Sequence, residues 1–282
     1  MGNKITNTKI SKEDLETIRH AKQSMQDIGL LMKGFDKFGN AIEIGIKKLP
    51  QKMQEWLQEL VNKTLLATLK GNLLTLQKDN AFKKPSNKTY KTLVTTTGVL
   101  SGAFGSTTGV GTAIFASELA ISTKFMMRSI MDIARSHGED LYNPDTQLAC
   151  LQVFAFGGTS KQDDSSETGY YANRIALKTA IKEASKFIAQ NGIKDLSKVL
   201  MVSSNPLLKL IGTIASRFSI QVSEKFIAQA VPVVGAVGGG TFNLVFINHF
   251  QNIAKAHFTM RALERKYSNE LVMKTYNDLV VK

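Results

Sequence analysis

Gly98-Val-Leu-Ser-Gly102-Ala-Phe-Gly105-Ser-Thr-Thr-Gly109-Val-Gly-Thr-Ala-Ile-Phe-Ala-Ser-Glu118 is the stretch on which the fold turns. Gly98, Gly102, Gly105 and Gly109 recur at steps of four, three and four, so on an α-helix they line one face that carries no side chains. Gly inside a helix costs about 1 kcal/mol relative to Ala. Four in register therefore imply a compensation, and close approach of another helix is the usual kind. Gly235, Gly238 and Gly239, followed by Gly240, make a second such patch. The simplest expectation is that the two segments pack on each other as a Gly-rich helical hairpin buried in the core.

Thr92 to Ser117 and Phe226 to Ala254 both lack Asp, Glu, Lys and Arg. Each is long enough for a membrane span, which takes about 20 residues. Gly, Ser, Thr, Asn and Gln dilute them, and the second carries Pro232, Asn243, Asn248 and His249. This favours the buried hairpin and leaves conditional insertion into a bilayer as the alternative. The glycines do not form a nucleotide loop. A P-loop needs Lys ahead of its Ser or Thr, and here Gly111 precedes Thr112. The βαβ surroundings of a dinucleotide fingerprint are missing as well.

Outward from this stretch, helical patterning recurs along the chain. Ser11 caps a helix whose first turn holds Glu13 and Asp14, and Leu15, Ile18, Met25, Ile28 and Leu31 follow at helical spacing until Gly34 and Gly39. Pro50 opens a second helix with the apolar stripe Met53, Trp56, Leu57, Leu60, Val61, Leu65 and Leu69, flanked by Lys63 and Lys70. Core packing explains that stripe most simply, while a Trp beside lysines also suits a membrane surface. Residues 79–91 read as a basic linker. The helix beyond the glycines should end near Gly138, and Asn143-Pro144 should open the next. Residues 157–169 read as a polar loop. Tyr170 to Gln190 and Ile193 to Val202 read as helices, and Asn205-Pro206 starts another through Leu210, Ile214, Phe218 and Val222. Pro232 interrupts the apolar stretch that follows, and a final charged helix is expected from Arg261. No strand alternation stands out, so the expected class is all-α, a compact multi-helix bundle. Residues 1–91 form its basic, amphipathic N-terminal part and 92–282 its main helical domain.

Composition narrows the partners. The chain has 36 Lys and Arg against 23 Asp and Glu, a formal charge of +13. Lys47, Lys48, Lys52, Lys63, Lys70, Lys83 and Lys84 belong to a long basic series in its first third. Such a balance favours anionic partners, with a solvated helix face as the plainer reading. Nucleic acid fits poorly, because the series is nearly all Lys, without Arg forks or interleaved aromatics. Cys150 is the single cysteine, so no disulfide framework exists and a reduced compartment is the default. The polar N-terminus shows no apolar secretory region, although Gly2 and Thr6 match an N-myristoylation pattern. A cytoplasmic location, peripheral to the membrane, is therefore expected.

The stretch Gly102 to Leu119, continued by Met127-Arg-Ser-Ile-Met-Asp-Ile-Ala-Arg135 and Gly138-Glu-Asp140, resembles the EcsC family. Val231-Pro-Val-Val-Gly-Ala-Val-Gly-Gly-Gly-Thr-Phe-Asn243 and the trailing Ala254, Phe258 and Arg261 resemble its closing segments. The resemblance covers roughly residues 50–270. It implies an association with membrane transport and secretion, since the family takes its name from a gene beside an ABC transporter. It implies no defined biochemical activity. Glu118, Arg128, Asp140 and Asn243 carry over as motif positions without an assigned role, and as candidate contacts for a ligand, a lipid or a partner.

Each candidate has a plain structural reading. Glu118 follows a long uncharged run and, if buried, needs a cationic partner or a raised pKa. Arg128, Asp132 and Arg135 have the spacing of a salt-bridge ladder. Asn243 in an apolar helix must find hydrogen-bond partners. His20, His137, His249 and His257 form no metal-ligand spacing, and no nucleophile elbow occurs, so neither metal nor cofactor is expected. The expected function is a non-catalytic, membrane-associated accessory protein that docks on anionic lipid or a membrane protein. The alternatives are a soluble helical carrier of a hydrophobic ligand or lipid, and a hydrolase using Glu118 with a histidine.

Overall fold

A computed structural model describes residues 9–26, 44–45, 47–74, 87–102, 109–156, 169–191, 205–230 and 232–281. Among them the chain is all-α. Helices α1 (Lys12–Gln26), α2 (Gln51–Leu74), α3 (Asn87–Gly102), α4 (Gly109–Ser136) and α5 (Pro144–Gln152) come first. A 3-10 turn at Val153–Ala155 precedes α6 (Gly169–Asn191), α7 (Pro206–Ala230), α8 (Pro232–Lys266) and α9 (Asn269–Asp278). None of the described helices is long and apolar enough to cross a membrane.

The helix boundaries follow local chemistry. Ser11 Oγ accepts from the Asp14 amide at 3.1 Å at the start of α1. Asn143 Oδ1 accepts from the Asp145 amide at 2.9 Å ahead of Pro144, and Asn205 Oδ1 accepts from the Leu207 amide at 2.8 Å around Pro206. Both Asn-Pro starts expected from the sequence are therefore capped. Gly138 has φ of 78° and ends α4 as expected, in a left-handed conformation that glycine alone adopts cheaply.

Helices α4 and α8 run through the middle. From Met126 to Ala134, α4 is buried nearly all round, and α8 from Phe250 to Met260 is buried except along the side of Asn252, Lys255 and Thr259. A helix buried on every face belongs to a core. α1 packs on α8 and α9, α2 on α4 and α7, α3 on α8 and α4, and α6 on α5 and α7. The α2 stripe settles as core: Leu57, Val61, Leu65 and Leu69 are at most 1 % exposed. Trp56 lies against Phe115 and Phe226, with ring centroids 6.5 and 6.0 Å away. A second aromatic knot joins Phe154, Phe218 and Phe250.

Two expectations need correction. The basic linker does not reach residue 91, because Asn87 to Lys91 already belong to α3. The hydroxyl of Tyr90 donates to Asp132 Oδ2 at 2.7 Å, which fastens this first turn onto α4. The charged C-terminal helix does not begin near Arg261. Instead α8 runs unbroken from Pro232 through Arg261 to Lys266, and Ser268 caps a separate α9 by accepting from the Leu271 amide at 3.1 Å. Of the first glycine stripe, Gly98 and Gly102 lie in α3 and Gly109 opens α4. Glycine's low propensity suits it to such helix ends.

Gly105, the expected helix at 193–202, the residues 157–168, Gly34, Gly39, Lys83 and Lys84 lie outside the described residues. Gly235, Gly238 and Gly239 lie on α8. The helices that carry the two glycine patches, α3 and α8, make the most extensive helix–helix contact among the described elements.

Candidate functional site

The site grows from one carboxylate that the sequence places on the buried face of α4. Phe115, Glu118, Leu119 and Ser122 fall on one side of this helix, and all are buried. α7 brings Lys225 from the opposite side, with Gln221 and Gln229 one turn before and after it, likewise buried. Lys225 Nζ donates to Glu118 Oε1 at 2.7 Å, and the two side chains are 1 % and 3 % exposed. α8 adds Asn243, whose Nδ2 donates to the same Oε1 at 2.6 Å and to the Val94 carbonyl of α3 at 2.7 Å. One cluster thus ties together α3, α4, α7 and α8.

Its surroundings are aromatic. The Lys225 ammonium lies 5.8 Å from the Phe115 ring centre and 5.6 Å from that of Phe246. Ring faces hold such a cation more firmly as water is removed. Glu118 Oε2 is buried with no hydrogen bond among the described residues. Among the described residues the hydrogen-bond partners of Glu118 are a lysine and an amide, the arrangement of a buried ion pair.

The other motif residues lie elsewhere. Arg128 is half-buried on α4, near the Tyr90 hydroxyl. That hydroxyl is pushed up to about 12, by burial first and then by Asp132. Arg135 pairs with Asp132 at 3.4 Å, one rung of the expected ladder. Asp140 is exposed and shapes the turn after α4 by accepting from the Tyr142 amide at 2.9 Å. Lys47, Lys48, Lys52 and Lys63 are exposed, Lys63 in a pair with Glu59 at 2.6 Å, and Lys70 is half-buried. No group of three or more His, Cys, Asp and Glu able to hold a metal occurs among the described residues.

The EcsC protein family matches residues 12–263. The chain belongs to the EcsC family. The match starts with α1 and ends close to the end of α8, so it reaches further towards the N-terminus than the resemblance seen from about residue 50. No curated protein and no solved structure matches the chain.

Two further ionic clusters of this EcsC chain were not legible from motifs. In the first, Glu139 Oε1 accepts from Arg261 Nε at 2.8 Å and also from Arg265, and Thr146 donates to Oε2 at 3.0 Å. Burial pushes this carboxyl up, but the two guanidinium groups outweigh it and hold it down to about 2. In the second, Arg174 Nη2 donates to Glu264 Oε2 at 2.9 Å and Tyr171 donates to Oε1 at 2.8 Å. Beside it the fully buried His257 meets the Tyr170 hydroxyl at 2.9 Å. Burial, with Arg174 and Arg261 adding to it, keeps this histidine well below its usual range and therefore neutral. Arg261 was visible as the last residue of the trailing motif. Its partner Glu139 lies 122 residues earlier, and no local pattern links them.

Proposed function

We propose that this EcsC-family protein is a non-catalytic, membrane-associated accessory protein that docks by charge on anionic lipid, peripheral to the membrane. The observation that carries the reading is a basic, partly apolar surface ahead of and into α2. Lys47, Lys48 and Lys52 are exposed there, close in sequence to Ile44, which is 52 % exposed. Lysines beside an exposed aliphatic side chain suit an anionic bilayer surface, where the ammonium groups meet headgroups and the aliphatic group enters the interface. The formal charge of +13 supplies the long-range attraction.

The non-catalytic part of the reading is supported by Glu118. The acid that the sequence singles out is 3 % exposed and already bonded to Lys225 and Asn243.

Flotation of the purified protein with phosphatidylcholine vesicles, with and without phosphatidylserine, at low and high salt, tests this. Binding only with the anionic lipid and lost in high salt is the expected result, because charge attraction falls with screening. Flotation that survives salt would mean apolar insertion. Absence of flotation in every condition would reject docking on lipid and move the carrier reading forward.

A further inference from the structure

α6 (Gly169–Asn191) lies at the side of the bundle, where it packs only against α5 and α7 among its extensive contacts. Tyr170, Tyr171, Leu177, Ala184 and Ile188 face inward and are buried. Arg174 holds its first turns in place through Glu264. On the outer side Lys178, Lys182 and Lys186 follow one another four residues apart, and all three are exposed. Ile175, one turn ahead of them, is 60 % exposed.

Some lysines of the chain are engaged within the fold, while others, such as Lys52 and Lys255, share no ion pair among the described residues. Lys63 pairs with Glu59, Lys266 with Asp14 and Lys225 with Glu118, and Lys22 donates to the carbonyls of Tyr276 and Leu279. Lys178, Lys182 and Lys186 enter no ion pair among the described residues, even though Glu183 stands three positions before Lys186. Like charges four apart on a helix repel. The row therefore costs α6 stability, and Glu183, the single acid on this helix, forms no ion pair among the described residues that would offset the cost.

We infer that the outer face of α6 is a docking face for an anionic membrane surface, with Lys178, Lys182 and Lys186 over the headgroups and Ile175 entering the interface. The inference rests on the docking reading above and adds a second face, distinct from the lysines of 47–52. At 1.5 Å rise per residue the three ammonium groups spread over about 12 Å of a straight axis, which spans neighbouring headgroups. Lysine serves such a surface as a flexible point charge, and no Arg fork or aromatic anchor of a protein interface accompanies the row. Each lysine brought near an anionic surface is worth about fivefold in partitioning, so the three together are worth roughly a hundredfold.

The test measures partitioning of the full chain onto phosphatidylcholine vesicles with and without phosphatidylserine. It compares the unaltered protein, K178Q/K182Q/K186Q and K47Q/K48Q/K52Q, with helicity of each checked by circular dichroism. The expected result is anionic-lipid binding that falls roughly a hundredfold in the α6 variant. If the unaltered protein binds and the α6 variant binds equally well, this inference is wrong while the docking reading stands, and the row would be left for an acidic protein. If the unaltered protein does not bind, both fall.

A second measurement needs no loss of charge. Ile175→Cys carries an environment-sensitive dye, and the only native thiol, Cys150, is fully buried. The dye emission should shift to the blue on anionic vesicles. An unshifted emission with bound protein would overturn the proposed orientation.

Discussion

Replacing Lys225 by Met tests whether the central ion pair holds the bundle as its geometry implies. Methionine keeps the length and most of the volume of the lysine stem, so packing against Phe115 and Phe246 is largely preserved. What changes is the charge. Glu118, 3 % exposed, loses a 2.7 Å partner and retains only the 2.6 Å bond from Asn243. Breaking a buried pair from one side leaves an uncompensated charge and costs about 3–5 kcal/mol. In a protein of this size that lowers the melting temperature by about 10 °C. The paired change E118Q/K225M removes both charges and keeps the amide-to-carbonyl bonding available, so it should recover more than half of the loss. The assay is urea unfolding followed by the fluorescence of Trp56, the only tryptophan, which sits against Phe115 and Phe226 beside the cluster. A loss below about 1 kcal/mol in K225M, the range of an exposed pair, would refute the reasoning. So would a double variant no more stable than the single one.

Two carboxyl groups give opposite dependences on pH. Glu139 is held down to about 2 against an ordinary 4.5, so its contribution is complete above about pH 4.5 and is lost as pH falls towards 2. The difference amounts to about 3 kcal/mol, and E139Q should lack this acid limb in a series of unfolding curves at falling pH. Glu224 is half-buried and pushed up to about 7 by burial. Folding then favours its protonated form, so the cost of ionising it is absent below about pH 4.5 and grows as pH rises through 7. E224Q should stabilise the protein by about 1–2 kcal/mol at pH 8 and change little at pH 4, after allowance for partial exposure. A difference between E224Q and the unaltered protein that is the same at both values would rule this out.

The residues themselves were enough for helices and their ends. The Asn-Pro starts at Asn143 and Asn205 and the stop at Gly138 are local, since each depends on a side chain or a backbone preference within a few residues. The stripe from Leu57 to Leu69 was equally legible because burial repeats every turn. Patterning over-read the charges after Arg261, since α8 runs on through them to Lys266 and is held by contacts from α3, α1, α4 and α7, whereas Pro232 does stand at a helix boundary as the first residue of α8. Proline is tolerated in a first helical turn, where its missing N–H costs nothing.

For the candidate site, the sequence alone determined that Glu118 would need a partner and that Asn243 would need hydrogen bonds. Charge, burial and amide chemistry impose both demands wherever those residues fold into a core. It did not determine that each would meet the other, or that Lys225 would close the pair, because 107 and 125 residues separate them from Glu118. The same holds for Glu139 with Arg261 and for the unpaired row on α6. Which lysine is buried, which is ion-paired and which faces outward alone depends on the neighbours each helix acquires. Only tertiary packing supplies those neighbours, because ion pairing acts through space over a few ångströms and is blind to distance along the chain.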